Sequence, residues 1–463
     1  MSNATNSPAL SRVEGLLDEN SFVEIMSEVT SRSTDFNLTN DETPGDGVVI
    51  GHGLIDGNLV FVYSQDSSVL GGTVGEKHAE KIRKVYEDAV NYGAPVIGII
   101  DCGGVRLQES YDALNSLGNV IQAAAKTSGV VPVVSCVVGN CGGGMNVVAG
   151  VSDFVFMTKQ ASLFVNSPDA LPGNKNVDTS APEFQSKEVG LADVFENETE
   201  LFNKVRELIA IIPANNMEGG RVDDCDDDLN RASANVSKDS SIEDISKSIS
   251  DDENVIILRS SYAKDMTTGF IRLNGMTVGF IGNSDYDEYT LSSNGLNKAN
   301  DFVKFLDSYE IPLLTLSNVK GYRRSIEEEK TISKAISSFT VALANADIPK
   351  INLITGNAFG SAALLMNSKS LGADLVFALS DSDMGIMDAT KAAKIICPDG
   401  SVEDQKNAAD KFSNVQSGTI NAARRGLVDR IVNGIDVRKY LIDGFEFLYT
   451  KKENESLKKH STK

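Results

Sequence analysis

Long apolar runs are missing from this 463-residue sequence. A helix that crosses a membrane needs about eighteen or more consecutive apolar residues, so nothing here is expected to span a bilayer. The first twenty residues, "MSNATNSPALSRVEGLLDEN", also lack the basic and then apolar segments of a signal peptide. We therefore expect a soluble, intracellular (cytoplasmic) protein.

Cysteine and histidine are scarce as well. The five cysteines are odd in number, scattered, and form no CxxC pair, which argues against a disulfide framework and against a cysteine zinc site. Cys102 and Cys141 lie near glycine motifs, but the three histidines suggest no base that would activate either thiol. We interpret both as small buried residues and expect no metal in this chain.

Phosphate-binding and nucleic-acid-binding signatures are absent. No GxxxxGK[ST] loop occurs, so ATP is not expected as a substrate. The net charge of −22 argues against nucleic acid or an anionic membrane as the main partner. Much of the acidic excess falls within residues 217–254, which we interpret as a solvated linker, because a chain of this length should contain two or more domains.

The sequence on either side of this acidic stretch repeats itself. Asp56-Gly57 and Asn274-Gly275 each separate two strand-like runs, which is a hairpin signal. Four further pairs are each separated by 217 positions: Pro95 and Pro312, Arg106 and Arg323, Pro132 and Pro349, and Gly139-Asn140 and Gly356-Asn357. We infer an internal duplication, in which each half is an α/β unit with a hairpin, largely parallel strands and outer helices.

Each half places a glycine-rich turn between a buried strand and a helix of small residues. The turns are "GNCGGG" (139–144) and "GNAFGSA" (356–362). The first N–H groups of a helix have no intrahelical partner, so each turn could hold a carbonyl oxygen that becomes negatively charged. Close packing of strand and helix is the alternative explanation. A dinucleotide site is disfavoured, since the GxGxxG spacing is lacking.

Several motifs, in order, resemble the biotin-dependent carboxyltransferases: 45–85, 93–114, 311–324 and 372–396. This family includes the carboxyltransferase subunits of propionyl-CoA and acetyl-CoA carboxylases and the α subunits of the methylmalonyl-CoA decarboxylase type. The resemblance implies two tandem crotonase-like carboxyltransferase domains related by duplication. We assign them to residues 8–216, on the acyl-CoA side, and 255–450, on the biotin side, followed by a polar tail, 451–463.

The resemblance also implies the catalytic residues. The acyl-CoA carbonyl would lie against the N–H groups of Gly143 and Gly144, and the biotin ureido carbonyl against those of Ser361 and Ala362. An enolate held by two oxyanion holes would then carry the carboxyl transfer, in either direction. Ser361 stands where relatives often have glycine.

Further residues are predicted to bind substrate: Gly103, Gly104, Arg106, Gly142, Gly360 and Lys81. Lys81 and Arg106 are candidates for the phosphates of coenzyme A, together with Lys77, Arg83 and Lys84. The alternative for Arg106 and its repeat equivalent Arg323 is a structural role through backbone hydrogen bonds.

Biotin must be carried by another protein, since no Met-Lys-Met acceptor motif occurs. The partners implied are a biotin carboxyl carrier protein, a biotin carboxylase or membrane decarboxylase subunits, and further copies of this chain in a dimer to hexamer. In the family, the N-terminal half of one copy pairs with the C-terminal half of another. The alternative function is a biotin-independent crotonase-type hydratase, isomerase or decarboxylase, which would need a carboxylate near the first turn, such as Glu109.

Overall fold

A computed structural model describes residues 7–32, 43–174, 177–286 and 288–451. The predicted polar tail, apart from Lys451, lies outside the described residues. The chain divides into two compact units, Met1–Gly219 and Gly220–Lys463. No helix of the described residues is both long and apolar enough to cross a membrane.

The first unit is an α/β sheet with helices packed on it. Its helices are α1 (Pro8–Leu16), α2 (Glu76–Tyr92), α3 (Ser110–Thr127), α4 (Gly144–Val151), α5 (Pro182–Phe184) and α6 (Glu198–Ile211). Its strands are β1 (Val23–Ile25), β2 (Val48–Ile55), β3 (Asn58–Gln65), β4 (Val96–Cys102), β5 (Val133–Gly142), β6 (Phe154–Thr158), β7 (Ser162–Phe164) and β8 (Asp193–Phe195).

The sheet of the first unit has the order β1-β2-β3-β4-β5-β6-β8, with β7 paired to β5. Strands β1 to β3 are antiparallel and the remaining pairs are parallel. The predicted hairpin joins β2 to β3, and Asp56 and Gly57 have φ values of 47° and 79°. Positive φ at both central residues is typical of a type I′ turn, one of the two turns that commonly join the strands of a tight hairpin.

The second unit contains the remaining elements. Its helices are α7 (Ile242–Ile249), α8 (Ser293–Ser308), α9 (Ile326–Glu329), α10 (Ile332–Asn345), α11 (Gly360–Leu365), α12 (Ala389–Ile396), α13 (Val402–Gln416), α14 (Thr419–Arg424) and α15 (Val437–Leu448). Its strands are β9 (Val255–Leu258), β10 (Met266–Leu273), β11 (Met276–Asn283), β12 (Thr290–Leu291), β13 (Leu313–Val319), β14 (Gly321–Tyr322), β15 (Lys350–Phe359), β16 (Leu375–Leu379), β17 (Asp383–Gly385) and β18 (Arg430–Val432).

The two sheets have the same topology. In the second unit the order is β9-β10-β11-β13-β15-β16-β18, read from the opposite edge, and β17 pairs with β15 as β7 pairs with β5. Strands β9 to β11 are again antiparallel and the others parallel. Asn274 and Gly275 have φ values of 52° and 77°, as in the first hairpin. The predicted α/β fold with an internal duplication is confirmed.

The acidic stretch 217–254 differs from the solvated linker that we expected, since part of it is folded. It contains α7, where Ser241 accepts a hydrogen bond from the N–H of Asp244 and caps the helix. Ile242, Ile245 and Ile249 of this helix are buried in the core of the second unit. The acidic side chains surround a helix that contributes an apolar face to the second unit.

Candidate active site

The first glycine turn joins β5 to α4. Gly143 has φ 57°, a backbone conformation that side chains rarely tolerate. A Cβ atom at Gly144 would lie 2.4 Å from Leu117 Cδ2, and one at Gly142 would lie 2.6 Å from the ring of Phe164. Glycine is therefore favoured at Gly143 by the backbone conformation, and a side chain at Gly142 or Gly144 would require Phe164 or Leu117 to move.

The N–H of Gly143, one of the two predicted donors, is hydrogen-bonded within the first unit. It donates to the Phe164 carbonyl at 3.1 Å. Phe164 is the last residue of β7 and is paired with Gly142, the last residue of β5. Gly144 is the first residue of α4, where N–H groups lack intrahelical partners. The N–H of Gly143 is therefore engaged within the fold, whereas those of Gly144 and the next residue, Met145, lie in the first turn of α4.

The second turn joins β15 to α11 in the same way. Gly360 has φ 62°, close to the value of its repeat equivalent Gly143. Ser361 is exposed, and its side chain is hydrogen-bonded to the Tyr322 hydroxyl on β14. Burial raises the pKa of Tyr322, and this hydrogen bond opposes that rise. Ala362 has its methyl group in the interior.

The repeat relates the two turns residue by residue. The spacing of 217 positions pairs Ser361 with Gly144 and Ala362 with Met145. The pair predicted on the biotin side therefore corresponds to Gly144 and Met145, the same two residues that the Gly143 hydrogen bond indicates. Met145 was not among the residues predicted from the sequence, although the constant spacing pairs it with Ala362.

Gly103 and Gly104, predicted to bind substrate, follow β4 and pack on the segment 70–74. The N–H of Gly103 donates to the Gly71 carbonyl at 2.9 Å, and the Gly104 carbonyl accepts from the N–H of Val74 at 2.8 Å. Gly103 is nevertheless exposed, and Gly104 has φ 111°. These hydrogen bonds hold the end of β4 in place.

Lys81 and Arg106 are buried and bound to internal partners, contrary to their predicted role at the phosphates of coenzyme A. The Lys81 Nζ donates to the carbonyls of Gly45, at 2.8 Å, and Val48, and burial lowers its pKa to about 8. The Arg106 side chain has no exposed surface and forms ion pairs with Asp46 and, at 2.8 Å, Glu109. Both residues stabilise the first unit.

The second unit repeats this arrangement. Arg323 lies 3.7 Å from Asp265 and 3.6 Å from Glu328, which correspond to Asp46 and Glu109. Lys298, 217 positions after Lys81, donates to three backbone carbonyls, including that of Met266 at 2.9 Å. A feature present in both halves serves the shared fold, which supports the structural alternative for Arg106 and Arg323.

Other candidate cations and the candidate base are also paired. Glu109 is buried, accepts from the N–H of Glu76 at 2.6 Å and pairs with Arg106, so its carboxylate is not open to a substrate. The three remaining cations of α2 form surface pairs one helical turn apart: Lys77 with Glu80, Arg83 with Glu87, and Lys84 with Asp88.

The cysteines near the turns are not nucleophiles. Cys102 and Cys141 are buried neighbours on β4 and β5. Burial raises the pKa of both thiols, that of Cys141 well above the ordinary value. Because the thiolate is the reactive form, both remain unreactive at neutral pH. The interpretation as buried residues is confirmed.

The family model "Carboxyl transferase domain" matches residues 4–462 of this chain. The chain belongs to the carboxyl transferase family. This carboxyltransferase is 36% identical to the propionyl-CoA carboxylase beta chain of Roseobacter denitrificans, over 98% of this chain and 92% of that protein. It is 33% identical to the methylmalonyl-CoA decarboxylase subunit alpha of Propionigenium modestum, with the same coverage.

A solved structure supports the same assignment. Transcarboxylase 12S, described as a hexamer assembly with hydrolysed methylmalonyl-coenzyme A bound, matches with a TM-score of 0.93 and 30% identity. The match covers 98% of this carboxyltransferase and 92% of that chain. The predicted family, enzyme class and fold are confirmed.

The second unit of this carboxyltransferase contains a cavity of about 670 Å³ that borders Gly360. Its walls are mostly apolar and include Ile354, Val376, Met384, Phe412 and Leu427. Two cations also line it, but Lys369 forms an ion pair with Asp429, and Arg425 donates to the carbonyls of Asn421 and Val415, each at 3.0 Å. Since both positive charges have internal partners, the cavity suits a neutral, largely apolar group.

Proposed function

We propose that this chain transfers a carboxyl group between carboxybiotin on a separate carrier protein and a small acyl-CoA. The first unit, with the predicted domain 8–216, would bind the acyl-CoA, and the second, with the predicted domain 255–450, would bind biotin. The observation that carries the proposal is the duplicated turn, in which Gly143 and Gly360 have φ values of 57° and 62° and begin equivalent helices. Two such turns suit a reaction with two carbonyl partners.

On the acyl-CoA side, we assign the oxyanion donors to the N–H groups of Gly144 and Met145. They would stabilise the enolate oxygen that forms when the α-carbon of the thioester loses its proton. Removing one donor of this kind typically raises the barrier by about 2.7–4 kcal/mol. Gly142 and Gly143 shape the turn and keep the backbone bare at this point, and the exposed Gly103 lies at the end of the adjacent strand β4.

On the biotin side, the N–H groups of Ser361 and Ala362 would hold the ureido oxygen. Bound carboxybiotin supplies the carboxyl group, and its ureido nitrogen supplies the base. The cavity beside Gly360 has a size that suits the uncharged bicyclic ring of biotin, since pockets of about 300–1,000 Å³ with mostly apolar walls commonly hold small ligands. No carboxylate of this chain is needed as a base, in keeping with the internal pairing of Glu109.

The same two turns would serve carboxylation and decarboxylation, because each stabilises a charge that arises in both directions. The proposed partners are a biotin carboxyl carrier protein with either a biotin carboxylase or membrane decarboxylase subunits. Further copies of this chain are proposed to form a dimer to hexamer, as transcarboxylase 12S is described as a hexamer assembly.

Free biotin provides the first test. Purified protein would be incubated with malonyl-CoA or methylmalonyl-CoA, with and without biotin, and loss of the ester followed by chromatography. We expect loss of one ester only when biotin is present. Equal loss without biotin would contradict the proposal and favour a biotin-independent crotonase-type enzyme.

Two substitutions at one residue then test the donor itself. Ser361→Pro removes the N–H within the first turn of α11, where proline is tolerated because these N–H groups have no intrahelical partner. Ser361→Ala removes only the hydroxyl bound to Tyr322. We expect kcat to fall by about 10²–10³-fold for the proline variant and only severalfold for the alanine variant. Equal effects would show that the N–H is not the donor.

A further inference from the structure

Asp101 lies beneath the segment that leads into the first glycine turn. This residue of β4 is buried, and its Oδ1 accepts a hydrogen bond from the N–H of Asn140 at 3.3 Å. A Cβ atom at Gly139 would lie only 2.0 Å from the same oxygen. The carboxylate therefore packs directly against residues 139–140, and we call residues 139–145 the acyl-side turn.

The negative charge of Asp101 is balanced from the N-terminal helix. Arg12 of α1 approaches Asp101 Oδ2 at 3.3 Å, and its Nε donates to Glu198 at 3.0 Å. The side chains of Arg12 and Asp101 are only 16% and 12% exposed, so solvent screens this pair weakly. Ser67 donates its hydroxyl to the same Oδ2 at 2.7 Å. The carboxylate thus has partners on both oxygens.

In the second unit, an uncharged side chain packs against the corresponding glycine and asparagine. Asn318, 217 positions after Asp101, accepts from the N–H of Asn357 at 2.8 Å, as Asp101 does from Asn140. A Cβ atom at Gly356 would lie 2.5 Å from Asn318 Nδ2. The Asn318 N–H donates to the side-chain oxygen of Asn283 at 2.8 Å. An amide is therefore sufficient to support such a turn, and the ion pair of the first unit needs another explanation.

We propose that Asp101 and Arg12 are positioning residues for the acyl-side turn, and that Arg12 neutralises a carboxylate that would otherwise oppose the oxyanion on this turn. The inference rests on the proposed function. Asp101 fixes the backbone before the two donors Gly144 and Met145, and its charge is of the same sign as the enolate oxygen. Arg12 offsets the repulsion between these two negative charges. The turn of the second unit, residues 356–362, has the uncharged Asn318 in the equivalent place.

This role predicts effects that do not add. Arg12→Gln leaves the buried carboxylate of Asp101 without its cation, close to the turn that must hold a negative charge. Asp101→Asn retains a side-chain oxygen that can accept from the N–H of Asn140. In this variant Arg12 can still form its ion pair with Glu198. The double variant imitates the uncharged arrangement around Asn318. The single Arg12 variant should therefore be the worst of the three.

The test measures kcat and KM for the CoA ester and for free biotin in these three variants, with Arg12→Lys as a conservative rescue. We expect kcat/KM for the ester to fall about tenfold in Arg12→Gln and less than about threefold in Asp101→Asn, in the double variant and in Arg12→Lys. KM for biotin should stay within about twofold throughout. The matched variant Asn318→Asp, which adds the charge to the other turn, should raise KM for biotin instead and leave KM for the ester unchanged.

Equal losses in the two single variants that add in the double variant would overturn the inference, as would a change in KM for biotin equal to that for the ester. Circular dichroism and the denaturant midpoint identify variants that have lost activity because they are unfolded. If Arg12→Gln is unfolded, the kinetics of Arg12→Lys, which retains the positive charge, are used instead. If the wild-type protein shows no biotin-dependent turnover, the proposed function fails. The affinities of the same variants for malonyl-CoA, measured by calorimetry, then decide the positioning role separately, because equal affinities in wild type and Arg12→Gln would overturn it.

Discussion

Replacing Arg106 by methionine separates a structural role from a role in binding coenzyme A. The Arg106 side chain is fully buried between Asp46 and Glu109, and its Nη2 also donates to the Thr73 carbonyl at 2.8 Å. Methionine retains much of the volume but leaves both carboxylates without a cation. Removing one member of a buried ionic cluster typically costs about 3–5 kcal/mol. For a unit of this size, that loss corresponds to a fall in melting temperature of roughly 6–20 °C.

The duplication provides the control for this experiment. Arg323 has equivalent partners, but its side chain is 28% exposed and the distances of 3.6 and 3.7 Å are longer than hydrogen bonds. We expect Arg323→Met to cost less than Arg106→Met, because solvent screens a side chain that is 28% exposed. Thermal unfolding by calorimetry measures both variants, and affinity for an acyl-CoA is measured well below the transition. A normal melting temperature with about tenfold weaker ester binding in Arg106→Met would refute the structural role.

Three other predictions follow from burial. Burial raises the pKa of Asp153 to about 7; the folded state then retains a proton that the unfolded state has lost, so stability falls as the pH rises from about 4 to 7. Burial also raises the pKa of Asp307 to about 7, so Asp153→Asn should reduce this dependence without abolishing it. Denaturant midpoints at pH 5 and pH 8 measure the change, and a slope equal to that of the wild type would contradict the assignment. Ile245→Ala should destabilise the second unit by about 2–5 kcal/mol, because this side chain of α7 is buried in the core; an unchanged denaturant midpoint would mean that the acidic stretch is a solvated linker after all. Thiol labelling of the native protein should reach Cys225 and Cys397 but spare the buried Cys102, Cys136 and Cys141, and rapid labelling of all five would contradict their burial.

The fold could be predicted well because the two halves of the sequence repeat the same pattern and can be aligned with each other. Pro95 and Pro312 mark equivalent strand starts, and the hairpin turns at Gly57 and Gly275 have the predicted conformation. One copy of a pattern could arise by chance, whereas two copies at constant spacing constrain each other. The same spacing pairs Lys81 with Lys298, and this could have indicated a shared structural role before the structure was known.

Contacts between residues that are distant in sequence could not be predicted. The N–H of Gly143 is occupied because β7 pairs with β5 some twenty residues later, so Phe164 provides a carbonyl that no local pattern reveals. Lys81 and Arg106 were read as candidate ligands because a positive charge in a sequence does not show whether its partner is internal. Helix α7 was missed because charge dominated its surroundings, although Ile242, Ile245 and Ile249 follow helical spacing.

Comparison of the two halves distinguishes residues that maintain the fold from residues that differ with the site. The ionic cluster around Arg106 and Arg323 and the buried lysines are present in both units, so they cannot account for a difference in substrate. The supports of the two turns do differ, with a charge-balanced Asp101 in one unit and an uncharged Asn318 in the other. The proposed function assigns a CoA ester to one turn and biotin to the other, and the residues that support the two turns are where the halves differ in charge. The charge behind the acyl-side turn is therefore a more informative target for mutagenesis than the more strongly buried Arg106.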